Sequence, residues 1–304
     1  MDKVEFSVLK SFDTFTIKEF LKEYNVGRAK IEEIRVGKTA YLNGVQVNLE
    51  TVIHTGDILS FEIKEDVDVK PSKESVEVIY EDDFLLIVNK PSGIIVHSDG
   101  NDKETMCSRV ARYYLDHNIK RKVRYAHRLD EETTGILIFA KDFLTLAKIN
   151  EMVEKHSLNR DYLALVMNKF SPSLLEGTIN KNIARDRHVS NKFRVGNGDN
   201  SKPAITKYKV LSGKAGVNLV YLHLLTGRTH QIRVHMASIN HPLLGDTLYG
   251  GNKNIINRVA LHSYHIDFKH PITNEYLSLN CSMPKDMDKI INVSDDIKVV
   301  FKND

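Results

Sequence analysis

Between Asp13 and Ile34 the apolar residues Phe15, Ile17, Phe20, Leu21, Tyr24, Val26, Ile31 and Ile34 recur at helical spacings, broken by a turn at Asn25 and Gly27. That pattern predicts two short helices. Behind them, two short runs over 39–42 and 45–47 flank Asn43-Gly44, a strong hairpin signal, and His54-Thr55-Gly56-Asp57 leads into a strand over 58–63. These elements predict a compact helix-helix-hairpin-strand unit over residues 1–64. The stretch 65–77 mixes Lys, Glu, Asp and Ser with one proline, Pro71, and has little apolar periodicity, so it reads as a linker.

Beyond the linker, strand-like and helix-like patterns alternate. Strands are expected over 84–88, 135–140, 162–167, 204–211, 217–225, 261–268 and 276–281, and helices over 104–115, 143–155 and 228–239. A polar, glycine-containing region over 185–201 shows neither period. The fold class is α+β, with a large mixed or antiparallel sheet over 78–290, a small α/β domain before it, and a charged tail over 291–304.

Composition narrows the picture modestly. Of the 304 residues, 41% are hydrophobic and 27% charged, as in ordinary globular proteins. A formal charge of +3 permits a nucleic-acid partner without demanding one. Cys107 and Cys281 are the only cysteines and lie far apart, which implies free thiols in a reducing compartment and no cysteine-based metal site. No apolar run is long enough for a signal peptide or a membrane span, so the expected location is cytoplasmic.

Two segments could carry chemistry. The polar turn from His127 to Thr133 delivers Asp130 to the edge of an apolar strand, where a carboxylate is held firmly enough to act as nucleophile or base. An aspartate bonding to its own turn fits the same local pattern, and local chemistry alone favours that reading. The segment 224–236 leaves a strand through Gly227 and enters a helix whose first turn, rich in donors, suits phosphate or carboxylate. Arg233 on that helix could pair with a buried acid or form a purely structural ion pair. His223, His230, His235, His241, His262 and His265 invite a metal-site reading, but even His230 and His235, on one expected helix, are five residues apart, a separation that rotates the second ring away from the first, so a catalytic metal is not expected. Neither a dinucleotide fingerprint, nor a P-loop, nor a Gly-x-Ser-x-Gly elbow occurs, and catalysis without a cofactor is favoured.

The run HRLDEETTGILIFAK at 127–141 resembles the HRLDxxTSG signature of RluA/RluD-type pseudouridine synthases. Three further runs match that family in order: DDFLLIVNKPSGIIVH at 82–97, LLTGRTHQIRVHMASINHPLLGDTLYGG at 224–251 and LHSYHIDFKHP at 261–271. The resemblance implies that a uracil is cut from its ribose, turned, and rejoined through carbon, with nothing gained or lost and no cofactor or metal required. It further implies that Asp130 is the catalytic aspartate, that Arg233 pairs with it, and that Tyr162 stacks on the base and assists a proton transfer. On periodicity alone Tyr162 is equally a core residue of its strand. Arg128 matches the residue that enters the space left by a flipped nucleotide. Thr134 stands where the family usually has Ser, and Arg160 where it commonly has Lys.

The unit over 12–63 is similar to the S-four-type RNA-binding domain, which would place Arg28, Lys30, Arg35 and Lys38 against RNA, although Glu32 and Glu33 dilute their charge. The implied partner is structured RNA, ribosomal before transfer RNA, bound by a monomer. Two other classes compete: a non-catalytic RNA-binding or ribosome-assembly factor, and a glycosidic hydrolase. The first has no use for the Asp130, Tyr162 and Arg233 set; the second needs a paired carboxylate, and only Asp130 has a suitable context.

Overall fold

The computed structural model describes residues 3–98, 100, 104–198 and 200–291. The tail expected from 291 onward lies, after Ile291, outside the described residues. The N-terminal unit comprises β1 (Lys3–Ser7), α1 (Ile17–Glu23), α2 (Arg28–Gly37), β2 (Ala40–Leu42), β3 (Val45–Gln46) and β4 (Ile58–Glu62), with strand order β1-β4-β2-β3. Thr16 and Glu19 form a reciprocal capping box that starts α1. The β2–β3 turn places both Asn43 and Gly44 at positive φ, the left-handed pair that a tight hairpin requires. Strand β1 was not foreseen. Its signal, the alternation of Val4, Phe6 and Val8 with Glu5 and Ser7, is too short to stand out, and the strand is secured by antiparallel pairing with β4.

The remaining chain forms β5 (Glu77–Glu81), β6 (Leu85–Lys90), α3 (Met106–Asp116), β7 (Arg124–Tyr125), β8 (Thr134–Ala140), α4 (Phe143–Glu154), β9 (Asn159–Met167), β10 (Glu176–Asn180), β11 (Ile183–Arg185), β12 (Phe193–Val195), β13 (Ile205–Lys214), β14 (Val217–Leu224), α5 (Gln231–Ser238), β15 (Leu261–Lys269), β16 (Tyr276–Asn280) and α6 (Lys285–Ile291). A ten-stranded sheet runs β10-β13-β14-β9-β15-β8-β6-β5, with β16 added on β15 and β7 on β8. All these pairings are antiparallel except β15 with β8, so the sheet is mixed. The polar region 185–201 holds β12 and the turn that pairs it with β11 in a hairpin.

Strands β6 and β8 are continuous apolar runs because both their faces are covered. Leu86, Val88, Leu137 and Phe139 pack with Met106, Val110 and Tyr114 of α3, while Leu85, Ile87, Ile136 and Ile138 pack with Ile149 and Met152 of α4. Each such side chain contributes roughly 1.5–3 kcal/mol on burial. Helix α6 sets Met287 and Ile291 against Leu219 and Tyr221 of β14.

The two units share one interface. Leu144 lies in the core of the N-terminal unit, Phe61 meets Phe143 edge-on at 5.8 Å, and Phe6 meets Phe84 at 5.9 Å. The segment over 65–77 is not a slack tether. Glu65 pairs with Arg124 in a largely buried contact, and Asp68 accepts from the Val123 N–H at 3.0 Å. Val67, Val69 and Val76 pack on the large core, and Glu77 already belongs to β5.

Candidate active site

Strands β7 and β8 form a hairpin whose loop carries Arg128, Leu129 and Asp130. Leu129 anchors the loop in the core, leaving Arg128 exposed and Asp130 half-buried on either side of it. From beneath, Lys90 at the end of β6 donates to the carbonyls of Pro91, Glu131 and Thr133 at 2.8–2.9 Å. Its ammonium is fully enclosed, and burial pushes its pKa down to about 7 against the opposing charges of Asp130 and Glu131. The Gly93 N–H and the Ser92 hydroxyl hold the carbonyls of Glu131 and Glu132. The loop then enters β8 at Gly135, whose φ is +104°, and a Cβ there would lie 2.2 Å from the Ser263 carbonyl. Thr134, where a serine was the expectation, hydrogen-bonds His262 at 2.9 Å, and the other ring nitrogen of His262 meets the Cys281 carbonyl.

Arg233 of α5 reaches this loop. Its Nη1 donates to Asp130 Oδ2 at 3.2 Å, while Nε and Nη2 donate to the two carboxylate oxygens of Asp246 at 2.7 and 2.9 Å. Asp246 is almost completely buried, so this two-pronged pair fixes the plane of the guanidinium and aims its remaining edge at Asp130. Burial disfavours the Arg233 charge, but the Asp246 hydrogen bonds and the charges of Asp246 and Asp130 outweigh it and raise its pKa. His230 Nε2 stands 3.6 Å from Asp130 Oδ2 and its Nδ1 lies 2.9 Å from the Tyr249 hydroxyl. That hydroxyl also accepts the Phe193 N–H at 2.9 Å, which ties the His230 ring to the β12 backbone through Tyr249. Burial holds the His230 pKa below the usual histidine range, helped by Arg233 and opposed by Asp130.

Helix α5 begins at Gln231, not at 228 as periodicity suggested. The cause is the Gln231 side chain: its Oε1 accepts from Thr226 and from the Arg228 N–H, and its Nε2 donates to the Ile205 carbonyl and to Thr206. These bonds hold 226–230 as a turn, with His230 in the left-handed region at φ 56°. The donor-rich first turn expected for an anion is therefore partly spent: the Arg228 N–H is taken, the Gln231 N–H meets the Arg228 carbonyl, and the Val234 N–H meets the His230 carbonyl.

Tyr162 of β9 is buried beside the site. A small pocket of about 70 Å³ is bounded by Asp130, Tyr162, Leu224, His230, Arg233 and Leu261, among others. It adjoins a cleft of about 970 Å³ whose walls include Arg128, Arg160, Arg228 and His127. Among the described residues, Nε of Arg160 is buried without a hydrogen-bond partner, and the buried His127 ring bonds the Arg128 backbone. Burial, with the Arg160 charge, lowers the His127 pKa to about 3.

Asp130, Tyr162, Arg233 and Arg128 thus converge. Arg28, Lys30, Arg35 and Lys38 do not; all lie on or at the end of α2, outside the cleft. Arg35 pairs with Glu32, and Lys30 is turned inward, paired with Glu33 at 2.7 Å and 5.0 Å from the Phe143 ring. Sequence reasoning gave no role to Lys90, Asp246 or Tyr249. Each stands in a run that carried the family resemblance, but no local period marks a loop residue whose partner comes from elsewhere in the chain. His235 is remote from Asp130, bonded to Thr206 and to the Lys181 carbonyl.

Residues 84–238 match the family model described as RNA pseudouridylate synthase, and residues 4–59 match the one described as RluD ribosomal pseudouridine synthase N-terminal domain. The chain is 37% identical over 261 residues to the uncharacterized RNA pseudouridine synthase YhcT of Bacillus subtilis, covering 84% of this chain and 83% of that one. It is 30% identical over 292 residues to ribosomal large subunit pseudouridine synthase D of Yersinia pestis, covering 90% and 88%. Its fold resembles the human RNA pseudouridylate synthase domain containing 1 structure, with a TM-score of 0.60 at 23% identity over 73% of this chain and 91% of that one.

Proposed function

The chain belongs to the RNA pseudouridylate synthase family, and we propose that Asp130 is the residue through which it isomerises uridine in folded RNA. The carrying observation is the chain of contacts Asp246–Arg233–Asp130, with His230 Nε2 3.6 Å from the same carboxylate oxygen. Whether Asp130 attacks the nucleotide or stabilises and deprotonates a sugar intermediate, it must be a carboxylate anion with an open face. Arg233 and the neutral His230 occupy one oxygen, Oδ2, and the group remains about a third exposed toward the pocket. Tyr162 provides a ring for the base, and its hydroxyl, raised in pKa by burial, stays protonated and able to donate.

A uridine reaches such a site only by leaving its stack. Exposed Arg128, next to Asp130, takes the vacated position, and Arg160, Arg228 and His127 meet backbone or base polar groups in the cleft. Arg28, Arg35 and Lys38 of α2 extend contact to RNA beyond it, while Lys30 serves the interface between the two units. Ribosomal RNA in the cytoplasm is the substrate we favour, supported by the match to the relative named for the large ribosomal subunit. We propose that the chain acts as a monomer. Residues 1–64 are assigned as the RNA-binding domain and 78–290 as the catalytic one.

The test is carbodiimide-based pseudouridine mapping of total RNA from a deletion strain complemented with the wild-type chain or with Asp130→Asn. Sites that vanish on deletion should return only with the wild type. Their return with Asp130→Asn would remove Asp130 from catalysis; if deletion removes none and the purified protein modifies no RNA, a binding factor is the better reading.

A further inference from the structure

Strand β9 alternates, so Asp161 points to the opposite face from Tyr162. On that face Asp161 stands directly between two histidines: His223 is its cross-strand partner on β14 and His265 its partner on β15. A bulge between Ser263 and His265 puts the second ring in register, and Asp267 follows two residues along the same strand. Asp161, His265 and Asp267 each offer a ligand atom within 4.8 Å of the other two. We propose that these three side chains form a binding site for a divalent transition cation of the Zn²⁺ type, on the side of the sheet away from the catalytic cleft.

What distinguishes this cluster from an ordinary hydrogen-bonded patch is that the outer atom of every ligand is already held. His265 Nε2 lies 3.0 Å from Ser278 Oγ, leaving Nδ1 to face inward. Asp267 Oδ1 receives the Asn159 amide at 2.9 Å and the Tyr276 hydroxyl at 2.5 Å, leaving Oδ2 inward. Asp161 Oδ1 receives His223 Nδ1 at 2.6 Å, the Tyr221 hydroxyl bonds the same carboxylate, and Oδ2 faces His265. The three inward atoms converge, with His265 Nδ1 at 2.9 Å from Asp161 Oδ2 and 3.8 Å from Asp267 Oδ2. Second-layer hydrogen bonds of this kind orient metal ligands and fix the imidazole tautomer.

Charge supports the same reading. Two carboxylates share a face with side-chain exposures of only 7% and 15%, and His265 Nδ1 faces both. A divalent cation neutralises both at once, lets His265 keep its proton on Nε2 toward Ser278, and uses the Nδ1 lone pair as a ligand. One imidazole with two carboxylates suits Zn²⁺ better than Mg²⁺, which prefers an all-oxygen shell rich in water. His223 and His265 were among the histidines weighed in the sequence, but this set is assembled across strands, so spacing along the chain does not group it.

The experiment is calorimetric titration of the EDTA-stripped full chain with ZnCl₂. One equivalent should bind the wild type and Glu275→Gln, a nearby acid outside the cluster, with equal affinity. Asp267→Asn and His265→Gln should weaken binding at least about tenfold, and Tyr276→Phe, which removes one exposed hydroxyl, should weaken it roughly tenfold with the fold intact. Absence of stoichiometric binding to the wild type, or equal binding by the wild type, Asp267→Asn, His265→Gln and Tyr276→Phe, overturns the site. The synthase assignment is untouched by either result.

Discussion

At the scale of single residues, the proposed roles separate a group that reacts from groups that aim it. Asp130→Asn keeps the shape of the loop but removes the anion, and kcat on a substrate RNA should fall by ~10³-fold or more, ~4 kcal/mol of transition-state stabilisation, with the unfolding midpoint nearly unchanged. Asp246→Asn acts differently. It leaves the Arg233 charge buried with only half its pairing, so urea unfolding should show a loss of about 3 kcal/mol alongside reduced turnover. A stable, fully active Asp246→Asn protein would show that Arg233 does not need this partner. Asp130, Arg128 and Arg233 stand in contiguous runs that resemble the family, and Tyr162, which lies outside those runs, lines the same small pocket. Asp246 and Lys90 were legible only as letters in those runs: their work is to hold backbone carbonyls or a guanidinium that arrive from distant positions, and local chemistry does not announce that.

Among the elements, the long apolar strands and the amphipathic helices followed their periods, and the misses have common causes. Strands β1, β5 and β10 are short edge or near-edge pieces with few buried side chains, so tertiary pairing rather than pattern decides them. The start of α5 was misplaced because one glutamine overrides helical propensity over 228–230. That makes the turn itself testable. Gln231→Ala strips four hydrogen bonds from Thr226, Arg228, Ile205 and Thr206, and should cost roughly 2–4 kcal/mol in denaturant unfolding. Because the same turn presents His230 and precedes Arg233 by only a few residues, turnover should drop as well although Asp130 is untouched. A variant that loses stability but keeps kcat would mean that Asp130 tolerates a displaced α5.

For the whole molecule, pH stability follows from where the polar groups are enclosed. Burial is the first cause holding the pKa of His127 near 3 and of His262 near 4, far below the ordinary histidine range near 6.5. Both stay neutral in the fold while the unfolded chain takes up protons below about pH 6.5. A depressed folded pKa stabilises the native state above the unfolded pKa, and that stability is lost as pH falls toward the folded value. Each histidine should therefore cost about 2 kcal/mol between pH 7 and pH 5. Asp82, held near 2 against the cost of its burial by His270, Tyr80 and backbone N–H groups, adds its loss only below about pH 4. Urea midpoints measured from pH 7.5 to pH 4.5 should fall steeply below pH 6.5, and His262→Gln, which can still bridge toward Thr134 and the Cys281 carbonyl, should flatten that slope, the remainder coming from His127 and from His230 and His235, also lowered by burial. Since the N-terminal unit shares Leu144, Phe143 and Phe84 with the catalytic sheet, the loss should register as one transition in both units. Two separated transitions would show that the interface is weaker than its buried aromatic contacts imply.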